Sequence, residues 1–370
     1  MELKKGYKQT EVGVIPGDWR VVKIKEHAAI KTGKRNTQDN VADGQYPFFV
    51  RSQVVERINS YSFDGEAVLT AGDGVGTGKV FHYINGRFDY HQRVYKISDF
   101  SPELNGLFFF LVFSTRFYNR IMSMTAKSSV DSVRLEMIAD MQIPLPPPRE
   151  QHAIAEALGD VDALLGALDQ LIAKKRDIKQ GAMQELLTGK KRLPGFNDKW
   201  QVKKLADVLS VRHGRSQHGI ADDNGEFQIL ATGGVIGKSK AFLYDKPSVL
   251  IGRKGTIDVP QYMETPFWTI DTLFYTEIAE DTHAKFVFYK FNLIHWYSYN
   301  EASGVPSLNA GTIERIEVTF PPTKSEQQGI AQVLSDIDAE IEALEQKRHK
   351  YKAIKQGMMQ ELLTGKTRLI

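Results

Sequence analysis

The sequence contains no cysteine. Disulfide bonds, thiol catalysis and cysteine-ligated zinc are therefore excluded, and the composition is consistent with a cytoplasmic protein. Long hydrophobic runs are also missing, because the longest strongly apolar stretch, Leu107 to Phe113, is far shorter than a membrane span. We predict that it is a buried helix or strand. The net charge of +3 permits an anionic partner such as nucleic acid without requiring one.

A glycine-rich stretch, T-A-G-D-G-V-G-T-G-K-V at residues 70–80, resembles a phosphate-binding loop at first sight. A Walker A motif ending at its G-K pair would place Asp73 at the first glycine and Val80 at the hydroxyl that binds magnesium. The dinucleotide-binding pattern G-x-G-x-x-G fails as well. An apolar strand followed by glycine recurs later, where Gly255 aligns with Gly74. We therefore predict a β-hairpin turn, for which glycine is suited because it tolerates positive φ.

Other catalytic signatures are absent from the sequence, including H-E-x-x-H, G-x-S-x-G and N-P-P-[YF]. We predict no catalytic residue, no metal site and no cofactor bound by this chain. A nucleotide-dependent enzyme that uses Gly72 to Lys79 remains an alternative, and it would require ATP binding that is lost in Lys79→Ala.

The chain contains an internal repeat. The segment I-K-Q-G-A-M-Q-E-L-L-T-G-K-K-R-L at residues 178–193 returns as I-K-Q-G-M-M-Q-E-L-L-T-G-K-T-R-L at residues 354–369. Extended backwards without a gap, residues 150–193 match residues 326–369 at more than half of their positions. A weaker similarity upstream aligns Trp19 with Trp200. The repeat predicts two related, divergent globular regions, each followed by a closely matched segment, in a pseudo-twofold arrangement.

The matched segments show the heptad spacing of long helices. Ser325 stands at an N-cap position, whereas Gly189 and Gly365 stand at C-terminal cap positions. Two helices with matching seams should pack on each other, and two copies in one chain favour this pairing over a contact between chains. The predicted seam consists of Ile154, Leu158, Val161, Leu165, Leu168 and Ile172 in the first copy and Ile330, Leu334, Ile337, Ile341 and Leu344 in the second.

The two copies resemble a known family. Pro147-Pro148-Arg-Glu150-Gln151 and Pro321-Pro322…Glu326-Gln327, each followed by I-A-x-x-L-x-x-x-D and Q-E-L-L-T-G-K, are similar to motifs of the specificity subunit of type I restriction–modification systems. The resemblance covers nearly the whole chain. It implies a mixed α/β fold: two target recognition domains, separated by two long helices that form an antiparallel coiled coil.

The resemblance also implies function and partners. Each target recognition domain would read one half of a bipartite, asymmetric double-stranded DNA site. The helices would set the spacing of the half-sites and dock two DNA methyltransferase subunits, and restriction/translocase subunits would complete the complex. The chain itself would be non-catalytic, because S-adenosylmethionine, ATP and magnesium would be bound by the partner subunits. The expected domains are residues 1–145, the first helix 146–190, residues 191–321 and the second helix 322–370.

Candidate DNA contacts are basic residues near predicted turns, since phosphates attract lysine and arginine and base edges accept hydrogen bonds from arginine. Both copies place basic residues around a shared glycine, K-T-G-K in the first and R-H-G-R in the second. The candidates are Lys31, Lys34, Arg35, Arg51, Lys79 and Arg93, followed by Arg212, Arg215, Lys238, Arg253 and Lys254. Any one of them is also consistent with an ordinary surface cation. A structural adaptor with two protein-binding heads on a helical spacer remains the alternative function.

Overall fold

The structure is a computed structural model that describes residues 5–124 and 132–369. The chain forms two compact units, Met1–Ala167 with Lys347–Ile370, and Leu168–Gln346. Each unit contains one globular head and one part of each of two long helices. We call the globular part that precedes the first long helix the first head, and the part between the two long helices the second head.

In its described residues, the first head contains ten strands and two α-helices. They are β1 (Tyr7–Thr10), β2 (Gly13–Pro16), β3 (Arg20–Lys23), β4 (Ala29–Thr32), β5 (Tyr46–Phe49), β6 (Glu56–Ile58), β7 (Phe63–Ala71), β8 (Phe81–Tyr90), β9 (Val94–Ser98), α1 (Gly106–Ser123), α2 (Leu135–Ala139) and β10 (Gln142–Leu145). The main sheet has six strands in the order β4-β9-β7-β8-β5-β6. β5 pairs in parallel with β8, whereas the other neighbours are antiparallel.

The second head consists of β11 (Gln201–Lys204), β12 (Leu209–His213), β13 (Phe227–Ala231), β14 (Gly234–Ser239), β15 (Ser248–Gly252), β16 (Gln261–Met263), β17 (Phe267–Thr269), β18 (Leu273–Ile278), α4 (Ala284–Phe291), α5 (Ala310–Glu314) and β19 (Glu317–Phe320). Its sheets have the orders β12-β18-β15-β16 and β14-β13-β17. The order β12-β18-β15-β16 repeats β4-β9-β7-β8, and the pair β11-β19 repeats β3-β10. The two heads are therefore mixed α/β folds of one kind.

The apolar run at residues 107–113 lies in α1, and most of its side chains are buried, which confirms the prediction. Phe108, Phe109, Phe113 and Phe117 are fully buried, and the rings of Phe113 and Phe117 stack with centroids 4.5 Å apart. Such aromatic contacts add to the free energy of burial, which is about 2 kcal/mol for each phenylalanine. This helix therefore forms the centre of the first core.

The long helices are α3 (Pro148–Leu186) and α6 (Lys324–Leu362). Gly189 and Gly365 adopt φ of 74° and 69°, which confirms the predicted C-terminal caps. The predicted N-cap at Ser325 is wrong. α6 begins at Lys324, so Thr323 is its N-cap. The hydroxyl of Thr323 accepts a hydrogen bond from the N–H of Glu326 at 3.3 Å. Thr323-Lys-Ser-Glu326 and Ser325-Glu-Gln-Gln328 both have the spacing of a capping box, and only one of the two can start the helix.

Within the second unit, α3 and α6 lie side by side and antiparallel. Lys175 pairs with Glu340, and Lys179, one turn further along α3, pairs with Asp338 at 2.6 Å, two residues earlier on α6. The predicted seam residues fall into two groups. Leu168, Ile172 and Ile341 are buried along the helices. However, Ile154 and Leu158 lie in the first core and Ile330 and Leu334 lie in the second, because each helix begins inside its own head.

Residues of the repeated motifs attach each head to the long helices through side-chain hydrogen bonds. In the first unit the buried carboxylate of Glu150 accepts hydrogen bonds from Arg368 at 2.6 and 2.9 Å and from the indole of Trp19 at 2.9 Å. In the second unit Glu326 accepts the equivalent bonds from Arg192 and Trp200, which are 2.6, 2.8 and 3.2 Å long. We call each of these arrangements a Glu-Arg-Trp clamp.

The glutamine that follows each clamp glutamate holds the start of the head helix. The Gln151 side chain accepts a hydrogen bond from the N–H of Asn105, the N-cap of α1, at 2.9 Å. Gln327 accepts the matching bond from His283, the N-cap of α4, at 2.8 Å. The E-Q motif therefore has a structural role in both halves of the repeat.

Candidate nucleic-acid interface

The glycine-rich segment between β7 and β8 is a hairpin turn, as predicted. Gly74 and Gly78 adopt φ of 79° and 68°, in the left-handed region that favours glycine. The N–H groups of Thr77, Lys79 and Val80 donate to carbonyl groups within the turn at 3.0 Å. These amides are already used, so they cannot cradle a phosphate in the way a Walker A loop does.

Four loops of the first head meet at one end of the six-stranded sheet. The N–H of Gln92 donates to the carbonyl of Arg35 at 2.8 Å, and the N–H of His91 donates to Phe49 at 2.9 Å. The N–H of Gly72 donates to Arg93 at 2.8 Å. The loops that follow β4, β5, β7 and β8 are thus joined by backbone hydrogen bonds, although they are distant in sequence.

The shared glycine of the two copies has a packing reason. A Cβ on Gly33 would lie 2.0 Å from the carbonyl oxygen of Tyr90, and a Cβ on Gly214 would lie 2.0 Å from that of Ile270. Both distances are far below a van der Waals contact. Only glycine at this position therefore lets the loop after the first strand of each sheet pack against the neighbouring turn. This packing places the flanking basic residues at the sheet end.

Two arginines in the first head share one carboxylate. Asp73 accepts from Nη1 of Arg51 at 2.8 Å and lies 3.2 Å from Nη1 of Arg93. The side chain of Asp73 is 19% exposed, whereas those of Arg51 and Arg93 are 44% and 63% exposed. A partly buried anion thus holds two guanidinium groups that face solvent. Burial and the nearby charge of Arg51 lower the pKa of His91, so that this imidazole is neutral at pH 7.

Two of the sequence-predicted arginines are engaged in ion pairs with strand carboxylates. Arg35 donates to the buried Asp89 at 3.2 Å and to Ser60 at 3.0 Å. Arg212 pairs with Glu277 at 2.8 Å. Arg35 compensates a carboxylate that is 1% exposed, so its first role is structural.

The remaining candidates are mostly exposed lysines and arginines. In the described part of the chain, Lys31, Lys34, Lys79, Arg215, Lys238 and Lys254 are exposed and form no ion pair. Arg253 donates from Nη1 to the carbonyl of Asp271 at 3.2 Å. Their contacts with DNA stay a prediction.

The second head presents a cavity whose lining includes Glu301 beside two cations. It has a volume of about 230 Å³ and is lined in part by His213, Arg253, Lys254 and Asn309. Lys254 forms a β-bridge with Ser307, in the same way that Asp73 forms a β-bridge with Ser132 in the first head. Lys254 is therefore the counterpart of Asp73, and the two heads differ in charge at this position.

Sequence reasoning missed Asp73 as a site residue, because it was considered only as a mismatch to the Walker A pattern. The half-buried Trp268, whose indole donates to the carbonyl of Arg215 at 2.9 Å, was missed too. Its position next to a predicted basic residue could not be predicted without knowing that the loop after β12 lies against β17, where the N–H of Arg215 donates to the carbonyl of Thr269 at 2.8 Å. Among residues 5–124 and 132–369 there is no cluster of three histidine or acidic residues able to hold a metal ion, and no helix is long and apolar enough to cross a membrane.

The chain therefore belongs to a class of proteins with two related α/β domains. Each domain carries basic loops at one sheet end and is followed by a long helix. The sequence pattern of the family described as "Type I restriction modification DNA specificity domain" matches residues 16–175 and 197–353. The chain belongs to this family. The predicted resemblance is confirmed.

Relatives and solved structures agree with this assignment. The chain is 35% identical to the EcoDI specificity subunit of Escherichia coli over 170 residues, which cover 45% of this chain and 36% of that relative. It is 23% identical to the MjaVIII specificity subunit of Methanocaldococcus jannaschii, with 96% of this chain and 94% of the relative covered. The crystal structure of the S subunit of a type I restriction–modification system from M. genitalium has the same fold, with a TM-score of 0.74, 16% identity and 98% of each chain covered.

Proposed function

We propose that this chain is the DNA-reading subunit of a type I restriction–modification complex, in which each head binds one half of a bipartite, asymmetric site. The observation that carries the proposal is the duplication of one head with different side chains at the sheet end. Asp73 with Arg51 and Arg93 stands in the first head where Lys254 and Arg253 stand in the second. Similar frames with different polar groups suit two unlike base sequences.

The long helices set the spacing of the two half-sites and dock two DNA methyltransferase subunits. The ion pairs of Lys175 with Glu340 and of Lys179 with Asp338 support an antiparallel pairing of α3 and α6. Both helices also carry many exposed residues, which leaves their outer faces accessible to partner subunits. Restriction/translocase subunits complete the full complex.

The chain contributes recognition and no bond-making chemistry of its own. The N–H groups of residues 77, 79 and 80 donate to carbonyl groups within the turn, which supports a structural role for the glycine-rich segment. Adenine methylation and DNA cleavage belong to partner chains, which bind S-adenosylmethionine, ATP and magnesium.

The test is a map of methylated adenines in cells that lack other adenine methylation. The chain is co-expressed with the methyltransferase encoded beside it, and modified bases are located by long-read sequencing. We expect one split, asymmetric motif with a methylated adenine in each half, and replacing residues 20–145 with a different first head should change one half alone. Complete absence of methylation by a partner that is active and bound would contradict the proposal.

Salt dependence provides an independent measurement. A complex that neutralises several phosphates loses about 0.9 log units of affinity per phosphate for each log unit of salt. We expect such a slope for duplexes that carry the mapped motif. A binding constant that does not change with salt would favour instead a structural adaptor with two protein-binding heads.

A further inference from the structure

The cluster of Arg51, Asp73 and Arg93 has the geometry of a reader of base edges rather than a general phosphate site. Phosphate affinity favours cations with unpaired charge, whereas here one carboxylate offsets one of two guanidinium charges. With His91 neutral, the cluster carries a small net positive charge and fixed directions. Fixed direction is what discrimination between bases requires.

Each guanidinium keeps a free edge. Arg51 and Arg93 both reach Asp73 through Nη1. In the described part of the chain neither side chain forms another hydrogen bond, so Nε and Nη2 of both remain available. Two adjacent N–H groups in a plane match the O6 and N7 acceptors of guanine in the major groove, which is the commonest specific contact of arginine.

The backbone that carries this carboxylate is held in place. Asp73 follows β7, its backbone forms a bridge with Ser132, and the next residue, Gly74, turns the chain at φ of 79°. Val133 fixes the same segment by donating its N–H to the carbonyl of Gly72 at 2.7 Å. Asp73 therefore stays in position when the flexible arginine side chains meet a ligand.

An apolar side chain beside the cluster is exposed to solvent. Val75 stands two residues after Asp73 and is 97% exposed. An apolar side chain at the tip of a hairpin gains free energy when a partner removes it from water. A base pair in a groove, with its apolar edge groups, is such a partner.

We infer that Asp73 is a positioning residue that holds Arg51 and Arg93 for guanine recognition, so that the half-site read by the first head contains a G·C pair. The inference rests on the proposed function. It is specific to the first head, because the second head has Lys254 at the equivalent position.

The test compares methylation maps of the wild-type complex, Asp73→Asn and a control, Asp64→Asn. The control removes a matched carboxylate from the same sheet, since Asp64 pairs with Arg87 at 2.9 Å and both side chains are about half exposed. We expect Asp73→Asn to relax the preference at G·C positions of one half-site by about tenfold to a hundredfold. The other half-site, and the whole motif of Asp64→Asn, should remain unchanged.

A chemical probe separates base reading from folding. Duplexes with 7-deazaguanine in place of guanine lack the N7 acceptor. Wild-type protein should bind them roughly tenfold more weakly, whereas Arg51→Ala combined with Arg93→Ala should bind both duplexes equally. Because the same variant is compared on two duplexes, partial unfolding does not alter the ratio.

The possible failures are distinguishable. A mapped motif whose first-head half-site, identified by replacing residues 20–145, contains only A·T pairs, or an Asp73→Asn complex that keeps the full preference, overturns the guanine inference and leaves the proposed function intact. A wild-type complex that methylates no bipartite site overturns the proposed function, and the guanine inference falls with it.

Discussion

The buried carboxylate of Glu326 allows a direct test of the role of the repeated motif. Its side chain is 1% exposed and accepts two hydrogen bonds from Arg192, 2.6 and 2.8 Å long. In Arg192→Met the aliphatic part of the side chain is kept, but the carboxylate remains buried with the indole of Trp200 as its one remaining donor among the described residues. Leaving one member of a buried pair without its partner costs about 3–5 kcal/mol.

The assay is urea unfolding followed by tryptophan fluorescence, because the Trp200 indole donates to Glu326 at 3.2 Å and reports on the clamp. A loss of about 3 kcal/mol should lower the unfolding midpoint by roughly 1 M urea. The matched control is Lys191→Met. Lys191 is the neighbouring residue, and its pair with Glu185 spans 3.7 Å between side chains that are 71% and 56% exposed. Exposed pairs contribute 0–1 kcal/mol, so the control should shift the midpoint little.

A second variant identifies the cause of the loss. Replacing both partners, with Arg192→Met and Glu326→Leu, removes the unpaired charge and should recover much of the stability, even though the Trp200 indole loses its acceptor. If Arg192→Met shifts the midpoint no more than Lys191→Met does, then the clamp is not a main stabilising contact. If the double variant loses as much free energy of unfolding as the two single variants together, then the loss in Arg192→Met is not caused by an unpaired buried charge.

Three further predictions concern stability. Burial lowers the pKa of Lys290 from 10.5 to about 8. Since the unfolded chain then binds more protons above pH 8, this lysine should add about 2 kcal/mol to the free energy of unfolding between about pH 8 and about pH 10, and Lys290→Met should remove that contribution in denaturant titrations. Gly33→Ala should destabilise the first head through overlap with Tyr90, whereas Gly166→Ala, whose Cβ would meet nothing within 4 Å, should stabilise α3 by about 0.5–1 kcal/mol in urea titrations. Phe113→Ala should cost about 3–5 kcal/mol in the same assay.

The repeat and the helices could be predicted because they leave a periodic record in the sequence. Heptad spacing located α3 and α6 to within a few residues, and glycine located both C-terminal caps. The roles of Glu150 and Glu326 could not be predicted in the same way. Glutamate is usually exposed, and nothing in a helical pattern indicates that a tryptophan and an arginine from distant segments surround it.

The candidate site was predictable in part. The shared glycines, Gly33 and Gly214, are common to both copies and lie at the corresponding end of each sheet, next to the predicted basic residues. The cluster around Asp73 was not predictable, since its arginines lie on separate loops that come together only through the pairing of β5, β7, β8 and β9. The sequence pattern predicts the strands, but it does not predict which loops lie next to each other in the folded sheet.

The distribution of matched and divergent residues follows from this division of roles. The clamp residues Glu150, Glu326 and their partners recur because they attach each head to the same kind of helix, and loss of either arginine leaves a buried carboxylate without its charged partner. The loops at the sheet ends take no part in the clamps, so substitutions such as aspartate at residue 73 and lysine at residue 254 leave the attachment intact. Surface substitutions of this kind usually change stability by less than about 0.5 kcal/mol. A head can therefore change what it binds at little cost to the stability of the chain, and this is the property that a subunit with two independent reading heads requires.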